Sequence, residues 1–218
     1  EERGSAGHRD RLLAGLTGRV LELGAGNGLN FTHYPPTVTE VVAVEPENHL
    51  RSLAERAAQD CPVPVTVVAG HAEALPPGDF AAAVVSLVLC SVPDQRRSLA
   101  HIHRTLRPGG EVRFYEHVRS TRRLLGLVED LITPLWSRLG GGCHPNRDTI
   151  EAIRESGFIS DTLARFTFRP LPIAPSSHLL GRAHRPCRLH PPHRPPPPAH
   201  PPPAPPPRPR VAGRPARP

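Results

Sequence analysis

The chain has 218 residues, 27 lysines plus arginines against 20 acidic residues, and a formal net charge of +7, a length that suits one α/β domain with a remainder. Every basic side chain is arginine, and six of them lie with 16 prolines in residues 186–218, a stretch without an acidic residue. The folded part is therefore near neutrality, and the charge is no argument for a nucleic-acid partner. There is no run of 18 apolar residues and no signal peptide, so nothing in this stretch spans a bilayer.

Residues Ala6 to Leu16 read as a short helix with Leu12, Leu13 and Leu16 on one face. Arg19–Leu23 reads as the first strand. It runs into Gly24-Ala25-Gly26-Asn27-Gly28, and a helix is predicted from there to Pro35-Pro36. Glu40–Val44 is the second strand, Glu47–Gln59 a helix carrying Leu50, Leu53, Ala54 and Ala57, and Val63–Val68 the third strand. His71-Ala72-Glu73 belongs to a loop. Phe80–Leu89 is almost wholly apolar, as a strand buried on both faces is.

A helix from Gln95 to Leu106, closed by Arg107-Pro108-Gly109-Gly110, leads to a fifth strand over Glu111–His117. Thr121–Leu139 is helical, with Pro134 expected to kink or interrupt it. Its apolar face, from Leu124 to Leu139, reads as core packing or as a surface for a lipophilic ligand. A short helix over Arg147–Ser156 and a strand over Ile159–Phe168 follow, with Ser177–Ala183 as the antiparallel partner. Strand–helix alternation with short turns is the pattern of a doubly wound sheet. Residues 1–185 are read as that domain. Residues 186–218 cannot bury a core and are expected to be disordered, with polyproline II character. The absence of methionine implies a true start upstream of residue 1.

The glycine turn carries the chemistry. A strand ending in Glu22-Leu23 and turning at Gly24, Gly26 and Gly28 presents backbone amides to an anion, or is an ordinary turn with no ligand. The dinucleotide fingerprint has its third glycine at the sixth position; here that position is Leu29 and the glycine comes earlier, at Gly28. Glu45, 21 residues after Gly24, can accept from ribose hydroxyls or cap the next helix. Cys90 and His117 end strands at the sheet's carboxyl edge. His117 is the candidate general base or a structural histidine, and Cys90 faces a substrate or packs. His101 and His103 read as a solvated face. The four cysteines lie far apart, so they are read as reduced thiols of a cytoplasmic protein, and no metal is assigned.

Taken together, Glu22–Gly28, Glu45, Ala72-Glu73, Val84–Leu89 and Leu106–Gly110 resemble the type 11 domain of the class I S-adenosylmethionine-dependent methyltransferases. Leu87–Val92, Glu116-His117-Val118 and Gly142–Thr149 are similar to the methyltransferase-like thiol S-methyltransferases and their bacterial relatives. The resemblance implies a Rossmann-like, seven-stranded, mostly parallel sheet in the order 3-2-1-4-5-7-6 and an S-adenosylmethionine cofactor. It implies that Glu22, Gly24, Ala25, Gly26, Asn27 and Gly28 cradle the methionine end, with Glu45 and Pro46 at the ribose. Ala72 and Glu73 would lie at the adenine, and Leu87 and Val88 beside the reacting sulfur. The partner would be a small acceptor, a thiol or an amine. A nicotinamide-dependent oxidoreductase on the same sheet, disfavoured by Leu29, a non-catalytic cofactor-binding module, and an interaction protein working through Pro195–Pro209 are the other readings.

Overall fold

Alternating β-branched and small apolar residues build the sheet at the centre of the computed structural model, which describes residues 5–171 and 174–187. The expectation of a disordered tail falls on residues from 188 onward and lies outside the described residues. Strands β1 (Gly18–Leu23), β2 (Val38–Val44), β3 (Val65–Val68), β4 (Phe80–Ser86), β5 (Leu106–His117), β6 (Ile159–Leu171) and β7 (Ala174–His184) pair in the order β3-β2-β1-β4-β5-β7-β6. The first five are parallel, and β7 runs antiparallel to both β5 and β6. This is the doubly wound order that the resemblance implies.

Period-2 alternation divides the core between the two faces. Leu21 and Leu23 point into one cluster with Phe114 and Val85, closed by α3 (Gln95–Thr105) through Leu99 and Ile102 and by α5 (Thr149–Glu155) through Ile153. Val20 points the other way, into a cluster with Val41, Phe31 and Tyr34 under α1 (Ser5–Leu13) and α2 (Asn48–Ala57). Burying each of these large side chains is worth about 1.5–3 kcal/mol.

Four local expectations are corrected. The helix after Gly28 is a single 3-10 turn, Phe31–His33. Tyr34 precedes proline and is extended at φ −66°, ψ 129°, because a residue before proline disfavours the helical region; the space between Gly28 and Pro35 is then too short for an α-helix. Strand β4 stops at Ser86 instead of Leu89, since Leu87 turns to φ 60°. Arg107–Gly110 does not precede β5 but lies within it as a bulge, with Leu106 opposite Phe80 and Glu111 opposite Ala82. Finally, α4 (Arg123–Leu139) is not interrupted at Pro134, and it turns Gly126, Glu129 and Thr133 inward. Its apolar residues face outward, Leu124 and Leu131 each 81% exposed, so that face does not pack on the core.

Candidate active site

In an open parallel sheet the ligand crevice lies outside the carboxyl ends of the strands, where the strand order reverses. Here the reversal is between β1 and β4, and a cavity of about 510 Å³ opens there. Leu23 and Gly24 come from the end of β1, Glu45 and Pro46 from β2, His71, Ala72 and Glu73 from the loop after β3, and Leu87 and Val88 from the loop after β4. The volume is that of a cofactor site, and the walls are mainly apolar with a few convergent polar groups.

Gly24 sits at φ 69°, and a Cβ there would overlap the side chain of Val88. The strand can therefore turn into the cavity only with glycine at this position. Gly26, also at positive φ, has open space where a Cβ would be. The amides of the turn are not bare, in contrast to the expectation. Gly24 and Ala25 donate to the Val44 carbonyl at 2.8 and 3.2 Å, and Gly28 donates to the Ala25 carbonyl at 2.9 Å. The Gly26 N–H donates to Glu45 Oε2 at 2.8 Å.

Glu45 is buried and also accepts from the Glu47 N–H at Oε1, 3.0 Å away. Each carboxylate oxygen holds a second lone pair, so the group can accept two further hydrogen bonds from the cavity. It does not cap α2. Glu47 does that, accepting from the N–H groups of His49 and Leu50 at 3.0 and 2.7 Å, and these bonds hold its carboxyl below the usual range. Glu73, also in the wall, forms a 3.8 Å ion pair with Arg97.

Leu87 is the one non-glycine at positive φ among the described residues. A bulky residue held there marks a conformation imposed by its surroundings. The cause is Glu116, wholly buried at the end of β5. Its carboxylate accepts from the N–H groups of Val88 and Leu89, both at 2.9 Å, and of Cys90 at 3.1 Å. Burial pushes its carboxyl well above the usual range, and the three amide bonds oppose that shift.

Of the residues expected to hold the cofactor, Gly24, Glu45, Pro46, Ala72, Glu73, Leu87 and Val88 meet at the cavity. Glu22 is not in its wall. Alternation along β1 places it beside Val20's cluster, where it accepts from Asn30 Nδ2 at 2.8 Å and the Tyr34 hydroxyl at 2.7 Å. Ala25 is buried in the same cluster. Gly26, Asn27 and Gly28 do not line the cavity either; a Cβ on Gly28 would meet Ala57 at 2.8 Å and Phe31 at 2.9 Å, a packing constraint. His117 is also absent from the wall. Its Nδ1 stands 3.3 Å from Cys143 Sγ and 3.7 Å from Cys90 Sγ.

That cluster was hidden in the sequence by separations of 26 and 27 residues. Cys90 is pushed up to about 12 by donating to Cys143 and by burial, while Cys143 is lowered chiefly by accepting that bond. His103 is not simply solvated, since its ring meets Phe158 edge-on at 5.0 Å. Leu50, Ser91, Val92, Pro93 and Gly141 complete the cavity wall. Ser91 and Val92 had a signal in the Leu87–Val92 resemblance; Gly141, which arrives from beyond α4, had none.

The family described as "Methyltransferase domain" matches residues 21–114, the segment that supplies all of the wall except Gly141. Thiol S-methyltransferase TMT1B of Rattus norvegicus is 32% identical over 172 residues, covering 75% of this chain and 69% of the relative. The Homo sapiens protein of that name is 32% identical over 181 residues, covering 78% and 73%. A solved SAM-dependent methyltransferase from Methanosarcina mazei shares the fold at TM-score 0.64 and 18% identity, covering 78% of this chain and 92% of the other. Methyltransferase fold, a crevice at the strand reversal and relatives of this similarity agree, and the chain belongs to the S-adenosylmethionine-dependent methyltransferases.

Proposed function

We propose that this methyltransferase acts on a small apolar thiol. The observation that carries the reading is the pairing of thiol S-methyltransferase relatives at 32% identity with a cavity wall that joins apolar Leu87, Val88, Val92 and Pro93 to the carboxylates of Glu45 and Glu73. S-adenosylmethionine, when bound, supplies a methyl group on a sulfonium, already activated toward a nucleophile.

The residues present suit that group. Gly24 leaves room for close approach of the backbone, and the unused lone pairs of Glu45 accept from the ribose hydroxyls. Pro46 and Ala72 flank the nucleoside, and Glu73 accepts from the exocyclic amine of adenine. Leu87 and Val88 shape the slot at the methyl end and exclude water from it. Holding donor and acceptor in line there is worth about 7–11 kcal/mol of the barrier in favourable cases. His117 lies behind the wall, so the acceptor's proton leaves to solvent at the open mouth and the thiolate is the nucleophile.

Incubation with S-adenosylmethionine and a short alkanethiol, followed by mass spectrometry, should yield the methyl thioether and S-adenosylhomocysteine. The rate should rise with pH as the thiolate fraction of the acceptor grows. Methylation of an alkylamine with none of the thiol would overturn the acceptor assignment.

A further inference from the structure

Behind the acceptor side of the cavity, three side chains with metal-binding atoms converge from separate parts of the chain. Cys90 lies in the loop after β4, His117 ends β5, and Cys143 follows α4. One ligand atom from each lies within 4.8 Å of the other two. Around a tetrahedral zinc ion with Zn–S of about 2.3 Å and Zn–N of about 2.0–2.1 Å, neighbouring sulfur and nitrogen ligands stand about 3.5 Å apart. The two observed sulfur–nitrogen separations, 3.3 and 3.7 Å, bracket that value.

Two sulfurs approach the same imidazole nitrogen, as two ligands of one ion would. The backbone also fixes the approach. The His144 N–H donates to the Cys90 carbonyl at 2.8 Å, tying the loop after β4 to the segment that carries Cys143. The Cys90 N–H is held by Glu116, as outer partners hold metal ligands.

We propose that Cys90 Sγ, Cys143 Sγ and His117 Nδ1 bind one borderline-soft divalent cation of the zinc type, filling three of four tetrahedral positions. Binding releases the two thiol protons to solvent as two metal–sulfur bonds form. The fourth position is left for water or a small ligand, the arrangement of reactive zinc sites. The cation clasps the loop after β4 to the segment after α4. Ser91 and Gly141 of the cavity wall lie on those two segments, so the acceptor side would be fixed by it.

The test uses the reduced full chain, loaded with cobalt(II) as a spectroscopic stand-in and desalted. A single cobalt per chain is expected, with thiolate-to-cobalt charge-transfer absorption and the intense d–d bands of a tetrahedral ion, all displaced by zinc. Cys90→Ser and Cys143→Ser should each weaken zinc binding at least tenfold and lower the charge-transfer intensity, while still binding S-adenosylhomocysteine. Alkylation of the wild type with mass-spectrometric mapping gives a readout independent of the variants: zinc should protect Cys90 and Cys143 and leave Cys187 reactive. Cobalt bound without charge-transfer absorption, or alkylation of Cys90 and Cys143 undiminished by zinc, would overturn the site.

Discussion

At the scale of single residues, the buried carboxyl of Glu22 makes stability depend on pH. Burial raises its pKa from 4.5 to about 7, against the opposing hydrogen bonds from Tyr34 and Asn30. The native state therefore keeps the proton to higher pH than the unfolded chain, and stability is lost as pH rises from 4.5 through about 7. The loss is about 3 kcal/mol. Buried His178, pushed down to about 4 chiefly by burial, gives the opposite slope between 6.5 and 4, but comparison with a variant cancels it. Urea unfolding of Glu22→Gln and wild type should show their difference moving toward the variant by up to about 3 kcal/mol between pH 4.5 and 8; a constant difference would refute it. Leu87 is a second case, with left-handed strain of about 1–2 kcal/mol. Leu87→Gly should unfold at higher urea than Leu87→Ala, which keeps the strained φ and loses the same wall contact. Gly24 and Glu45 could be read from local motifs, whereas the clamp by Glu116 could not, because the amides it holds lie 26 to 28 residues away in the chain.

At the scale of elements, the strands were the most legible part, because Val41–Val44 and Phe80–Val85 are apolar on both faces, the signature of a covered parallel sheet. Helix α4 shows the limit of pattern reading. Its apolar spacing predicts a buried stripe, but a period states only that one face is apolar and not which way it turns. The inward face is instead built from Gly126, which approaches Arg119 closely, from Glu129, which accepts from the Ser120 N–H, and from Thr133. Leu124→Ser and Leu131→Ser should therefore each change unfolding free energy by less than about 0.5 kcal/mol. Phe114→Ala, in the core of β5, should cost about 3–5 kcal/mol. Chemical denaturation of the three variants checks the contrast, and equal costs would contradict the placement of α4.

At the scale of the molecule, the described chain is tied down as far as Arg185, whose N–H donates to the Gly110 carbonyl at 2.7 Å while its own carbonyl accepts from Gly109 at 2.9 Å. A chain ended at Cys187 should therefore melt as the full chain does and bind S-adenosylhomocysteine equally well; a weaker truncated form would give residues 188–218 a part in the site. The doubly wound sheet followed from the alternation of elements and its strand order from the family resemblance, while the thiol–imidazole cluster depended on three segments meeting only in the folded state. Both belong to an account in which the crevice between β1 and β4 holds the cofactor, with Glu45 at its ribose. Calorimetric titration of wild type and Glu45→Ala with S-adenosylhomocysteine tests this most directly. Loss of two hydrogen bonds to a charged acceptor, each worth about 1.5–3 kcal/mol, predicts one site per wild-type chain and an affinity at least tenfold weaker in a variant that is still folded. Equal affinity in the two proteins, or no binding by well-folded wild type, would contradict it.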